Sequence, residues 1–458
     1  MIKSMTGYGR AREMLNKRDI TVEVRSVNNR YLDCTVKMPR MYTFAEDAIK
    51  QRVQQAVSRG KVDVFITVRS EAGDEVQVGT LVAKEADGLS SPVYSSVSGK
   101  VVGVSDIFIS NGSRVPAVII DSDGEMTVDE NIAPPVIDSK EALVAAIKAS
   151  GVVGLGGAGF PTYAKFTTDK KIEYLVVNGA ECEPYITSDT YTMLERADEI
   201  AYAIDVLVKY LNIEKVVIGV EKNKPEAIKK MEEIAAKGSN MSVCVLPSRY
   251  PQGGEKVLVY STTGRKIGAG MLPIDVGCVV CNCTTLATLG NFFKTGMPLV
   301  EKCVTVDGGA VKKPRNVMVP IGTSLEDLFN ACGGLTVEPA KIIYGGPMMG
   351  ITVLSSDAPI IKNTNAVLAL NEKEAKLPKT TACIRCGACV NHCPFGISPV
   401  AILKSYKEED FLGMKNAGAL LCMECGCCSY VCPAKIPNVQ NNKLAKEAIR
   451  KEAQREVK

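Results

Sequence analysis

Two cysteine runs near the C-terminal end of this 458-residue chain constrain its fold more than any other feature. The first is Cys383-x2-Cys386-x2-Cys389-x3-Cys393-Pro394, and thirty-nine positions on comes Cys422-x2-Cys425-x2-Cys428-x3-Cys432-Pro433. Three thiolates at this spacing, with Gly387 or Gly426 between them, let a short loop curl around one iron–sulfur cubane. The fourth cysteine lies beyond the turn and points elsewhere. Structural zinc also uses Cys-x2-Cys, but it takes four ligands and has no use for a third cysteine at the same interval. Cys427 falls out of register and reads as a spectator. His392, the only histidine, reads as a surface residue or a hydrogen-bonding neighbour, because the cysteine set is already complete.

When two such runs occur together, the fourth cysteine of each ligates the other cluster, as in two-cluster ferredoxins. The expectation is one [4Fe–4S] cluster on Cys383, Cys386, Cys389 and Cys432. A second sits on Cys422, Cys425, Cys428 and Cys393. The odd total of 17 cysteines suits thiols used on metal rather than a secreted disulfide framework. The N-terminus lacks the apolar core of a signal peptide, and uncharged runs such as "AGALLC" fall short of the ~18–20 residues a bilayer span needs. A cytoplasmic protein whose membrane contact comes through partners is expected. Charge is uneven: residues 1–70 carry 14 Lys+Arg against 7 Asp+Glu, while the remainder carries 41 against 44.

Clusters pass single electrons, so something must supply or accept them. In "GVVGLGGAGFPT" (151–162), Gly154, Gly156 and Gly159 spell G-x-G-x-x-G. A tight turn explains that motif as well as a nucleotide site does, and a helix-like stretch, "SKEALVAAIKAS", precedes it where the dinucleotide fingerprint has a strand. The glycines nevertheless bare backbone N–H groups, which suits an anion or ring cradle. From 172 on, "IEYLVVN", "EKVVIGVE" and "MSVCVLP" read as strands alternating with the helices "ADEIAYAIDVLVKYL" and "KPEAIKKMEEIAAKG". This pattern predicts a parallel sheet with ligands at the strand C-terminal ends. Three distinctive segments fall at such ends: "NGAECEP" with Glu181 and Glu183, "YPQGGEK", and "CNCTTL".

"GLGGAGFPT", "VNGAECEPYITSD", "YPQGGEK", "GGPMMG" and the two cysteine runs together resemble the C subunit of the Rnf complex, over residues 71–458. That family implies a membrane ferredoxin:NAD oxidoreductase coupled to ion pumping. The α/β part also resembles the flavoprotein subunit of respiratory complex I, which binds FMN and NADH. The resemblance implies that Gly154, Gly156, Gly157, Gly159, Phe160 and Lys165 wrap the FMN. Asn178, Glu181, Glu183, Gly254, Glu255, Asn282 and Thr285 would line flavin and nicotinamide, with Glu183 and Glu181 in catalytic roles. Tyr163 stands where relatives often have His, and Cys281 and Cys283 flank Asn282. Hydride would pass between NAD(H) and FMN, which exchanges single electrons with the clusters. The implied partners are other subunits of the membrane complex, with ferredoxin indirect. The chain would lie on the cytoplasmic face, without a span of its own.

The expected fold is α/β and multidomain. It divides into a YicC-like fragment at 1–70, a lipoyl-like β barrel-sandwich at 71–135, and a Rossmann-like FMN/NAD(H) domain at 136–300. A β-grasp module at 301–357 and a helical ferredoxin-type two-cluster domain at 370–458 follow. "MIKSMTGYGR" and "RGKVDVFITV" resemble the start of YicC-type endoribonucleases. A fusion or assembly join near Ser70 is expected, with a hairpin and one helix before it and no nucleic-acid function. Two rival readings are a soluble NADH-dependent reductase of the microcompartment cobalamin type and an RNA-binding or RNA-cleaving protein acting through residues 1–70.

Overall fold

The computed structural model describes residues 6–15, 18–38, 45–70, 73–109, 113–238, 240–353 and 358–456. The first five residues of "MIKSMTGYGR", the last four of the 301–357 module, and Val457 and Lys458 of the expected tail helix lie outside them. The chain forms two compact units, one of residues 1–77, 97–107 and 115–127, the other of 78–96, 108–114 and 128–458.

In the first unit, β1 (Gly7–Leu15), β2 (Arg18–Val27), β3 (Leu32–Lys37), α1 (Glu46–Ala56) and β4 (Gly60–Ser70) follow in order. The four strands make one sheet in the order β1-β2-β4-β3. The sequence pattern predicts only a hairpin and a helix here. Gly60 has φ +121°, which turns α1 back into β4, and β4 lies along the whole of β2 from Arg18↔Ser70 to Val27↔Lys61. β5 (Glu75–Val76) belongs to a separate three-stranded sheet. The pair β6 (Leu81–Ala83) and β7 (Val93–Tyr94) lies in the second unit, and β8 (Gly99–Phe108) and β9 (Arg114–Ser122) complete the β5 sheet.

In the second unit, α2 (Lys140–Ala149) starts at Ser139, whose hydroxyl accepts from the Ala142 N–H. It leads through the glycine loop to β10 (Tyr174–Gly179), α3 (Ser188–Glu195), α4 (Ala197–Leu211), β11 (Lys215–Glu221), α5 (Pro225–Ala235) and β12 (Met241–Leu246). Next come α6 (Glu255–Thr263), β13 (Cys278–Asn282) and α7 (Cys283–Thr295). The strands form a parallel sheet in the order β12-β11-β10-β13. Alternate β10 side chains serve opposite faces: Leu175 and Val177 join α4 and α7, and Val176 joins Leu258 and Val259 of α6. Both faces are covered, so the strands read as continuous apolar runs. Order reverses beside β10, and the crevice at the ends of β10 and β13 is where such sheets take ligands.

A second sheet follows, built from β14 (Glu301–Asp307), β15 (Arg315–Pro320), β16 (Lys341–Tyr344), β17 (Ile351–Thr352) and β18 (Ala366–Leu370), with α8 (Leu325–Ala331). Its order is β15-β14-β18-β16-β17, so the central strand lies beyond residue 357, where the module was expected to end. After α9 (Glu372–Ala375) the cysteine region is helical, with α10 (Ala388–Asn391), α11 (Pro399–Lys407), α12 (Phe411–Asn416), α13 (Cys427–Tyr430) and α14 (Asn438–Glu456). Ile402, Met414, Ala445 and Ile449 pack α11, α12 and α14 together.

Candidate functional site

The glycine loop is closed at its base by paired backbone hydrogen bonds, Gly154 N–H to Phe160 O at 2.8 Å and Thr162 N–H to Val152 O at 3.2 Å. Within it, the Leu155 N–H donates to Thr285 Oγ1 at 3.0 Å. The N–H groups of Gly156, Gly157, Ala158, Gly159 and Phe160 donate to no protein group among the described residues. A Cβ at Gly157 would meet nothing within 4 Å, whereas one at Gly156 would fall 2.5 Å from the Asn282 amide. The loop therefore presents bare N–H donors and an open face, with Asn282 close against its inner side.

The strand ends supply the rest. Asn178 and Asn282 are register neighbours at the ends of β10 and β13. The Asn178 amide donates to Gly253 O at 3.0 Å and accepts from the Ala180 N–H. Asn282 caps α7 by accepting from Thr284 and Thr285 N–H, and donates to Asp189 at 2.7 Å. Lys165 donates to Val280 O at 2.8 Å and lies 3.6 Å from Glu255. Phe160 is exposed beside the loop. The glycine loop and Lys165 thus both meet the end of β13 and the start of α7, at Asn282, Thr285 and Val280.

The two acids do different things from lining an open mouth. Glu181 is buried and accepts from Asp189 N–H at 2.6 Å and from the Thr190 N–H and hydroxyl, so it caps α3. Burial, reinforced by Asp189, raises its pKa to about 8. Glu183 reaches the "GGPMMG" turn, where its two oxygens accept from Met348 N–H at 3.1 Å and Met349 N–H at 2.9 Å. Burial raises its pKa too. Sequence reasoning passed over Asp189 and Lys302. Lys302 is a fully buried lysine on β14, and its signal in the sequence is a charge directly before the buried run Cys303–Val306.

The cysteines line two cavities. One, of about 200 Å³, is bounded by Cys383, Cys386, Cys389 and Cys432. The other is bounded by Cys393, Cys422, Cys425 and Cys428, with Cys427 also in its wall. The division is the crossed one. Backbone geometry repeats with it: Arg385 and Glu424 have φ of +56° and +63°, Gly387 and Gly426 +74° and +82°, Gly396 and Lys435 +64° and +54°. The Arg385 and Glu424 N–H groups donate to Cys383 and Cys422 Sγ at 3.4 Å each. No three His, Cys, Asp or Glu among the described residues gather at a single ion-sized point. The thiols instead wall two wider spaces, four of them around one and five around the other, and a cubane takes four. His392 is exposed, with Nδ1 2.9 Å from Ala388 O.

The second cavity abuts the α/β domain. The Tyr250 hydroxyl donates to Cys425 O at 2.7 Å. A Cβ on Gly254 would collide with the Met423 methyl, and one on Gly426 would fall 2.9 Å from Met348 O. Cys383 and Cys386, in the first cavity, are exposed.

Fold and site together define an α/β multidomain protein with a flavin-type cradle and an iron–sulfur domain, and comparison with known proteins agrees. The Nuo51 FMN-binding domain model matches residues 147–291, the 4Fe-4S dicluster domain 375–452 and the SLBB domain 303–352. The N-terminal region of the YicC-like endoribonucleases matches residues 2–150, well past Ser70. The C subunit of a proton-translocating ferredoxin:NAD(+) oxidoreductase complex from Clostridium ljungdahlii is 40% identical, over 73% of this chain and 77% of its own. The Na(+)-translocating counterpart from Acetobacterium woodii is 40% identical over 72% and 76%. The C subunit of an ion-translocating oxidoreductase complex from Rhodobacter capsulatus is 39% identical over 81% and 73%. The chain belongs to the family of C subunits of these ion-translocating (Rnf) oxidoreductase complexes.

Proposed function

We propose that the chain is the electron-transfer subunit of a membrane ferredoxin:NAD oxidoreductase complex, binding NAD(H), FMN and two [4Fe–4S] clusters. The observation that carries the reading is the run of five N–H groups without a protein partner among the described residues, beside the sheet's switch point, with the second cysteine cavity against the flanking loops. Bare N–H groups in a row suit an anionic group such as the FMN phosphate. When bound, FMN and the clusters supply the conversion between two-electron hydride chemistry and single electrons.

The chain's own residues bind, orient and enclose. Gly154 and Phe160 close the loop, Gly157 gives it its open face, and Gly156 and Gly159 let Asn282 and Asn363 come close against it. Asn282 and Thr285 hold it from below. Lys165, Asn178, Gly254 and Glu255 shape the crevice wall. Glu183 keeps the Met348–Met349 turn in place, and Glu181 and Asp189 fix α3 beside Asn282. Cys422, Cys425, Cys428 and Cys393 would hold the cluster on the flavin side. Cys383, Cys386, Cys389 and Cys432 would hold the cluster nearer solvent. Tyr250 and Met348 would join the crevice wall to the cavity of Cys422, Cys425, Cys428 and Cys393, so that groups held on either side would be linked through protein rather than solvent. We further propose the divisions 1–70, 71–135 and 136–300, a module from 301 that runs past 357 to take in β18 (Ala366–Leu370), and the cysteine-bearing module after it, to 458, as the chain's modules. Among the described residues no helix is long and apolar enough to cross a membrane. On this reading the chain lies at the periphery of the complex, on the cytoplasmic face, held through partner subunits.

Anoxic purification tests the reading. The protein should yield about eight irons and eight sulfides per chain, release FMN on denaturation, and reduce an artificial acceptor with NADH. Stoichiometric zinc without sulfide, or no flavin after reconstitution, would overturn it.

A further inference from the structure

While the N–H groups at 156–160 donate to no protein group among the described residues, three carbonyls of the glycine loop are held, by groups from far along the chain. Lys362 Nζ donates to Gly151 O at 2.8 Å, and also to Pro92 O at 2.6 Å and Ser91 Oγ at 3.1 Å. Lys302 Nζ donates to Leu155 O at 3.4 Å and to Lys362 O at 2.9 Å. Asn363 Nδ2 donates to Gly157 O at 3.2 Å. Three carbonyls of the loop, at 151, 155 and 157, are thus tied by side chains from β14 and from the segment just before β18. Lys302 is 2% exposed. Neither ammonium meets a carboxylate within ion-pair distance among the described residues; their partners are carbonyl oxygens and one hydroxyl.

Burying an ammonium against carbonyls alone costs far more than exposing it, so the site must be built to hold it. The flavin-domain match ends at residue 291, before either lysine. A bare helix or turn would satisfy loop carbonyls without buried charge. What the lysines add is direction and sign: carbonyl oxygens drawn inward, N–H groups left outward, positive charge behind them.

We propose that Lys302 and Lys362 are positioning residues of the flavin cradle, drawing the loop carbonyls inward so that its N–H groups and the charge behind them face an anionic, phosphate-bearing flavin. The inference rests on the FMN reading above and adds the residues that make the cradle selective for the phosphate. Burial also lowers both lysines, to about 7 for Lys302 and about 8 for Lys362. The groups that act on Lys302 are Asp189, on α3, and its own neighbour Cys303; Asp189 acts on Glu181 as well. An anion on the loop favours protonated lysine. FMN affinity should therefore be full below pH 7 and fall as pH rises through the lysine range. The phosphate's own ionisation, near pH 6, works in the opposite sense.

The test uses the full chain with its clusters, titrated with FMN and with riboflavin, which lacks the phosphate, by flavin fluorescence between pH 6.5 and 8.5. Lys302→Met and Lys362→Met should each raise the Kd for FMN about tenfold, a typical effect of losing a charged hydrogen bond. They should change riboflavin binding less and flatten the fall in FMN affinity with pH. Iron content should stay that of the parent. A merely structural loosening would shift both ligands together and leave the pH profile parallel. If Lys302→Met loses its iron, half-buried Lys362→Met decides alone. Parent protein that binds no FMN would overturn the reading of the site. Parent protein that binds FMN, with variants that keep its Kd and pH profile, would overturn the lysine inference and leave the reading standing.

Discussion

Gly156 and Gly157 are neighbours with opposite constraints. A side chain at 157 enters open space and one at 156 collides with Asn282. Gly157→Val should keep its iron and fold while losing FMN affinity by roughly tenfold or more, about 1.4 kcal/mol. Gly156→Ala should displace the α7 cap and cost about 1–3 kcal/mol of stability as well, typical of overpacking. Full FMN affinity in Gly157→Val would place the cradle elsewhere. Glu183 is the second residue to test. Its carboxylate accepts two N–H bonds, and an amide keeps only one acceptor oxygen and sets an NH2 against the other N–H. Glu183→Gln should slow NADH-driven acceptor reduction by about tenfold, from the ~1–3 kcal/mol cost of an unsatisfied donor, while FMN stays bound. Equal loss of FMN and rate would make Glu183 a support of the loop alone. At this scale the sequence disclosed what spacing carries, the glycines and cysteines. It hid what depends on distant partners. Glu181 looks like a mouth residue from "NGAECEP", yet its oxygens are spent on the N-terminus of α3. Lys302 shows only as a charge in an apolar strand, because its acceptors, Leu155 O and Lys362 O, are 147 and 60 positions away.

The cysteine element is a duplicated module, and the duplication sorts its ambiguous thiol. Cys427 lines the second cavity beside the four expected ligands, so proximity alone does not exclude it. Its counterpart in the first module is Ala388, since each opens the short helix after the positive-φ glycine. A ligand missing from one copy is not required by the geometry the copies share. Cys427→Ser should leave iron at about eight per chain, and Cys428→Ser should lower it by about four if its cluster is lost, measured colorimetrically on anoxic protein. Iron loss in Cys427→Ser would reverse the assignment. Elements in general were legible where periodicity is long: α4 spans Ala197–Leu211, the stretch its apolar repeat marks out. β18 was not, because "AVLAL" is uniformly apolar and buried, and a short apolar run carries no period to separate strand from helix. It pairs with β14 in parallel and β16 antiparallel, contacts that only the folded chain supplies.

At the scale of the molecule, the question is whether residues 1–70 matter to the chemistry. Their four strands form a sheet of their own, with no ladder among the described residues to the β5-β8-β9 sheet that follows, and Ser70 closes the last of them. The sheet buries little. Among its described side chains only Val62 and Val64 count as buried apolar groups, and α1 buries none. Arg25 instead lies 5.7 Å from the Tyr8 ring and 5.3 Å from the Phe65 ring, contacts made at the surface. A sheet with so thin a core contributes little stability beyond itself, and every group of the cradle and both cysteine cavities lies beyond residue 150 apart from the carbonyl and hydroxyl that Lys362 meets at Pro92 and Ser91. Deletion through Ser70 should therefore leave NADH-driven acceptor reduction within about twofold, since changes with no shared partners stay near ±0.5 kcal/mol. Loss of flavin on deletion would show the segment to be a working part of the fold. The excess of 14 Lys+Arg over 7 Asp+Glu in this segment should give only salt-sensitive contacts with RNA, released at physiological ionic strength. Retention of RNA there, or its cleavage by the full chain, would instead assign the segment a second function.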